Sequence, residues 1–222
     1  MRRLRTTFAV SIAGLAAMLA LTACQPVDVE PTGGAGPGTN QPTSGDAGQA
    51  ARDLKDLKVS SGGTMAGYSR TKFHIWASQG GGCDTRDVVL KRDGKGVQAT
   101  SECKITAGTW VSPYNGKSYT KPLDLDIDHL VPLGNAWISG AKDWTDDQRK
   151  AFANDLTRPQ LIAVDLTDNR AKGDQDPSQW KPPSHDYWCS YAEDWITVKT
   201  YWKLTVTSAE KSALEDMLGT CA

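Results

Sequence analysis

Two stretches of this 222-residue chain hold side chains whose types and spacing could do chemistry. The first, Leu125-Asp126-Ile127-Asp128-His129-Leu130-Val131-Pro132-Leu133, sets a carboxylate beside an imidazole. The second, Asp168-Asn169-Arg170-Ala171-Lys172-Gly173-Asp174, adds an amide, two cations and more carboxylates. A histidine with its ordinary pKa near 6.5 accepts a proton at neutral pH, which suits His129 as a general base. A hard divalent cation such as Mg²⁺ takes oxygen ligands and keeps several waters, so the Asp128 carboxylate and the Asn169 side-chain oxygen suffice as protein donors. Base and cation together suit a hydrolysis in which water is deprotonated and negative charge develops beside the ion.

These groups need particular elements to position them. Leu125, Ile127 and Val131 alternate with Asp126 and Asp128, a strand pattern that Pro132 ends. A regular strand sends Asp128 and His129 to opposite faces, so serving one site requires a twist or bulge, which Pro132 favours. Asn169, Lys172 and Gly173 share a face at helical spacing. Thr145-Asp146-Asp147-Gln148 caps a helix running to about Asn154, Gln160 to Val164 reads as a second strand, and Thr167 or Asp168 caps the next helix. The order is therefore strand, helical insertion, strand, helix.

Asp-His-x-x-Pro-Leu, then Asn-x-x-Lys-Gly-Asp, then Trp-x-Pro-Pro together resemble the HNH (ββα-metal) nuclease family. The nearest branch is that of the C-terminal nuclease domain of GmrSD-type restriction enzymes and of many secreted actinobacterial proteins. The resemblance covers roughly residues 68 to 221, including Ala136-Trp137, Phe152-Ala153-Asn154-Asp155, Trp180-Lys181-Pro182-Pro183 and Cys221. It implies an α+β fold in which a ββα-metal finger, interrupted by a helical insertion, is embedded in a small mixed domain. It also implies an endonuclease cutting DNA, with RNA as the alternative, and a divalent metal, Mg²⁺ before Mn²⁺. By the same resemblance His129 is the general base, Asp128 and Asn169 hold the metal, and Lys172 faces a substrate phosphate. Asp126 and Asp174 are supporting candidates, and Arg170, Lys181 and Arg86 weaker ones for substrate contact. Arg86 and Asp87 read first as a structural ion pair. One position departs from the family: its middle Asn falls on Gln160, whose longer side chain keeps the amide that braces the histidine loop. His74 and His185 read as incidental polar residues.

Residues 1–23 read as a signal peptide, with Arg2, Arg3 and Arg5 before an apolar run too short for a permanent span. Arg2-Arg3 leaves the export route open. Leu21-Thr22-Ala23-Cys24 looks like a lipobox, which makes Cys24 a lipidated membrane anchor; ordinary secretion is the other reading. Residues 24–53 form a tether rich in Gly and Pro, too polar to bury a core. The nuclease domain then spans 54–222, one domain with room for a core. Loss of the leader removes three arginines and leaves 22 basic against 26 acidic groups, a net of −4, which is not the balance of a general nucleic-acid binder. Arg149, Arg158, Arg170, Lys172 and Lys181 form either a local basic patch or part of a mixed surface. Four further cysteines in an exported chain point to two disulfides, Cys83–Cys103 and Cys189–Cys221, since each pair brackets a compact segment. No heptad pattern exists, so a monomer is expected. Several strands are expected before the Asp-His stretch, with Asp93-Gly94-Lys95-Gly96 as a turn between two of them and Ser112 to Lys117 as a hairpin turn. Two other functions use the same residues: a non-catalytic surface binding module, and a phosphodiesterase acting on a cell-envelope polymer.

Overall fold

The computed structural model describes residues 46–221; the leader, Cys24 and the tether as far as residue 45 lie outside them. Helix α1 (Ala47–Asp56) starts at the Asp46 cap and buries Ala50 and Leu54, packing on later helices. Helix α1 thus occupies part of the stretch expected to be tether, and Ala50, Leu54 and Leu57 join the core. A 3₁₀ turn (Arg70–Phe73) leads to the short strands β1 (Ser78–Gly80) and β2 (Cys83–Asp84), then to α2 (Thr85–Asp93). Gly80, Gly81 and Gly82 all have positive φ, which explains three glycines in succession. Helix α2 replaces an expected strand. Asp84 and Asp87 bond each other's backbone N–H groups in a capping box, which starts a helix ahead of the expected turn at Asp93. The Asp93–Gly96 segment is thus a helix end running straight into β3, not a turn between strands.

Strands β3 (Lys95–Ala99), β4 (Ile105–Val111) and β5 (Ser118–Tyr119) form an antiparallel sheet in that order, with the expected turn over residues 112–117. Next come β6 (Leu125–His129), α3 (Leu133–Ile138), α4 (Asp146–Ala153), β7 (Leu161–Asp165) and α5 (Leu166–Lys172). Thr145 and Gln148 cap α4 reciprocally, as the sequence indicates. Asp165, not Thr167 or Asp168, caps α5, because its carboxylate reaches the N–H groups of both those residues. Helices α6 (Trp188–Tyr201) and α7 (Ser208–Leu218) complete the domain.

Strands β6 and β7 pair antiparallel from Leu125↔Asp165 to His129↔Leu161 with no register shift. Leu125, Ile127, Leu161 and Ala163 pack with Val89, Leu90 and Trp110 on one face, while Ile162 and Val164 join the larger core of Phe152, Trp195 and Leu214 on the other. A strand covered on both faces reads as a continuous apolar run, which is why Leu161-Ile162-Ala163-Val164 does not alternate. Helix α5 packs against both strands. The disulfides Cys83–Cys103 and Cys189–Cys221 form as expected, each with 5.0 Å between Cα atoms. The result is a small mixed α+β domain. No helix among the described residues is long and apolar enough to cross a membrane.

Candidate active site

A cavity of about 320 Å³ opens where β6 ends. Tyr68, Arg70, Asp128, His129, Asn169 and Asp174 are among its lining residues. The expected bulge within β6 is absent. Asp128 and His129 do lie on opposite faces, and they meet at one cavity because it spans the end of the strand, where His129 is the last paired residue.

On one face, Asp128 Oδ2 accepts a hydrogen bond from Lys172 Nζ at 2.7 Å and another from the Tyr114 hydroxyl. Its Oδ1 has no protein donor among the described residues. Burial pushes the Asp128 carboxyl up, opposed chiefly by Lys172, and burial pushes the Lys172 ammonium down, opposed by Asp128. Asn169 donates its amide N–H to Asp126 Oδ2 at 3.1 Å. That bond spends the nitrogen on Asp126, two residues before Asp128 on the same strand face, and leaves the Asn169 oxygen as an acceptor.

On the other face, His129 Nε2 contacts the carbonyl of Ala153 at 3.0 Å, at the end of the inserted helix α4. A carbonyl only accepts, so Nε2 carries the hydrogen and Nδ1 keeps its lone pair. Burial pushes the imidazole down to about 3; the Ala153 bond opposes this, and Arg70 and Lys172 add to it. His129 is therefore neutral at physiological pH, and Trp76 packs over it with ring centroids 5.8 Å apart. Gln160 is fully buried and clamps the loop beyond His129: its Oε1 accepts from Val131 N–H at 3.1 Å and its Nε2 donates to the Val131 carbonyl at 2.9 Å. Asp174 Oδ1 accepts from Gly134 N–H at 3.1 Å, and a side chain at Gly134 would collide with that carboxylate.

Other expected site residues are elsewhere or otherwise engaged. Lys172 has no exposed surface; besides Asp128 it donates to the His129 carbonyl at 3.0 Å, so it braces the site and does not face a phosphate. Arg86 donates to the carbonyls of Pro122 and Leu125, a structural role with backbone partners in place of the expected Asp87. Lys181 stacks on Trp188 at 4.8 Å, away from the cavity lining. Arg170 is exposed on α5 but does not line the cavity. Arg149 and Arg158 are also committed, to Asp146 and Asp155, so the five basic groups make no free patch. Sequence reasoning missed Tyr114, Arg70 and the Ala153 carbonyl. The only signal for Tyr114 was an aromatic ring within an otherwise polar turn.

The donor set fits a hard cation: an Asp128 oxygen and an Asn169 oxygen, both without protein donors, border a cavity roomy enough for water. Among the described residues the cluster of three ligating side chains is Cys189, Glu193 and Cys221, whose cysteines are spent in a disulfide and offer no thiolate.

Residues 84–217 match the family described as GmrSD restriction endonucleases, C-terminal domain. The chain belongs to that family. It is also 55% identical over 168 residues to an uncharacterized secreted protein of the fungus Arthroderma benhamiae, a match covering 76% of this chain and 82% of that one. No solved structure matches it. The family match starts at Asp84, so Tyr68 and Arg70 line the cavity, and Trp76 packs on His129, from outside the matched residues.

Proposed function

We propose that the protein is an exported, metal-dependent endonuclease that hydrolyses phosphodiester bonds in DNA, with RNA as the second polymer to test. The observation that carries this reading is His129: neutral, fixed through Nε2 on Ala153, with no protein partner on Nδ1 among the described residues, and lining a cavity shared with Asp128 and Asn169. In this reading β6, β7 and α5 are a ββα-metal finger interrupted by α3 and α4. Nδ1 of His129 takes the proton from the attacking water, and Ala153 steadies the imidazolium that forms. Asp128 and Asn169 would hold Mg²⁺, or Mn²⁺ in its place, and the ion would take up charge developing on the phosphate. Lys172 and Tyr114 orient Asp128, Asp126 orients Asn169, and Gln160 fixes the loop. The family match and the printed description of the fungal relative support nuclease chemistry and export. A lipid anchor at Cys24 and a monomeric state complete the proposal. A phosphodiester polymer of the cell envelope carries the same linkage and is one further substrate for the same chemistry.

The test incubates the oxidised, exported protein with supercoiled plasmid, RNA and a teichoic-acid-type polymer, in Mg²⁺, Mn²⁺ or chelator. Cleavage that needs metal and falls at least ~100-fold in His129→Ala is the expected result. Full activity of His129→Ala would falsify the assigned mechanism; metal binding with no turnover on any polymer points to a binding module.

A further inference from the structure

Lys172 is buried, which leaves the cavity with a single cation. Asp128 and Asp174 both border the opening, and among the described residues Arg70 is the only lysine or arginine in the lining. A polyanionic substrate approaching two carboxylates needs a positive group to offset them. Arg70 is exposed and makes no hydrogen bond or ion pair to any described residue, yet it lines the same cavity as Asp128 and His129.

Its segment is fixed over the site. Phe73, three residues on, has no exposed surface and packs against Tyr68, Trp137 and Phe152. The Asn154 side chain donates to the His74 carbonyl at 3.0 Å and accepts from Ala77 N–H at 2.9 Å. Asn154 directly follows Ala153, whose carbonyl holds His129, so one helix end fixes both the base and this segment. His74 and Trp76 take left-handed φ values of 45° and 58°, a conformation costly for side-chain-bearing residues that persists where surrounding contacts impose it. Trp76 is thereby placed against the His129 ring.

Given the proposed phosphodiesterase chemistry, on which this rests, we infer that the 68–76 segment is the second wall of the catalytic centre and that Arg70 contacts a non-bridging oxygen of the substrate phosphate. A guanidinium offers two parallel N–H donors to such oxygens. The family-matched residues supply base and metal donors, and the preceding segment supplies the phosphate clamp.

Three variants, Arg70→Ala, Arg70→Gln and Arg70→Lys, decide this alongside wild type and His129→Ala. The expected results are a fall of ~100-fold in kcat/KM for Arg70→Ala, partial retention in Arg70→Lys, and unchanged thermal unfolding in all three. Millimolar guanidinium should restore part of the Arg70→Ala activity, an effect no structural role explains. Binding of a short fluorescent oligonucleotide in chelator should weaken about tenfold in Arg70→Ala and stay near wild type in His129→Ala. Wild-type turnover by Arg70→Ala overturns the inference while leaving the nuclease reading intact. If wild type cuts nothing, the nuclease reading fails, and oligonucleotide binding that is absent or equal in wild type and Arg70→Ala overturns the inference as well.

Discussion

Two lysines are buried without exposed surface, and each pairs with a carboxylate: Lys172 with Asp128 at 2.7 Å and Lys199 with Glu210 at 2.6 Å. The second pair is closed. Glu210 Oε1 also accepts from the Trp195 indole at 2.7 Å, Oε2 accepts from Thr207 N–H as part of the α7 cap, and Lys199 donates to the Thr205 carbonyl. The first pair is open. Tyr114 and Lys172 both bond one oxygen of Asp128, and its other oxygen is left beside a cavity that also holds His129 and Asn169. Burial, charge and distance are nearly the same in the two pairs. What separates a site from a strut here is the unspent acceptor and its neighbours.

The comparison is broken most severely by replacing each pair with apolar residues. Such replacement is often neutral for stability, whereas removing one partner strands a buried charge. Asp128→Leu with Lys172→Met should leave a folded protein with cleavage reduced at least ~1,000-fold, because it removes the proposed cation ligand and its support together. Glu210→Leu with Lys199→Met should fold and cut at the wild-type rate. Plasmid nicking and urea melts of both doubles check this. The single variants Lys172→Met and Lys199→Met should each lose about 3–5 kcal/mol in the same melts, showing that the pairs are alike as stability elements.

A smaller effect is expected at Gln160. Gln160→Ala strands the Val131 N–H and carbonyl in a buried loop and should cost about 2–3 kcal/mol, with a fall in kcat as the His129 loop loosens. Gln160→Asn, one methylene shorter, should keep less of the clamp than wild type.

Asp194 sharpens the contrast from the other side, as a buried carboxyl with no lysine partner among the described residues. Burial, reinforced by Glu193, pushes it up from 3.8 to about 8. The folded protein thus holds a proton that the unfolded chain releases above 3.8, so stability falls as pH rises through that window. Asp194→Asn cannot ionise and should flatten the slope. Relative to wild type it should gain roughly 3–4 kcal/mol between pH 5 and pH 8 in urea melts.

How much of this the sequence carried depended on the range of the signal. The α4 cap, the β6 and β7 runs and the hairpin turn are local patterns, and all appear in the fold. The cysteine pairing followed from spacing. Helix α2 stands where a strand was expected before the Asp93 turn, because the Asp84–Asp87 capping box starts a helix ahead of the β-branched Val88 and Val89. Chain-long contacts were illegible. Nothing local says that Lys172 turns inward to Asp128, that Tyr114 leaves its turn to reach the same oxygen, or that Ala153 ends its helix beneath His129. Arg70 lies 58 residues before Asp128, too far along the chain for a local pattern to join them.

The most direct measurement compares supercoiled-plasmid nicking by wild type, Asp128→Asn and Glu210→Gln, in Mg²⁺ and in chelator, normalised to folded protein. The account predicts metal-dependent nicking by wild type, loss of at least ~100-fold in Asp128→Asn, and wild-type turnover per folded molecule in Glu210→Gln. Equal turnover by Asp128→Asn and Glu210→Gln would contradict it.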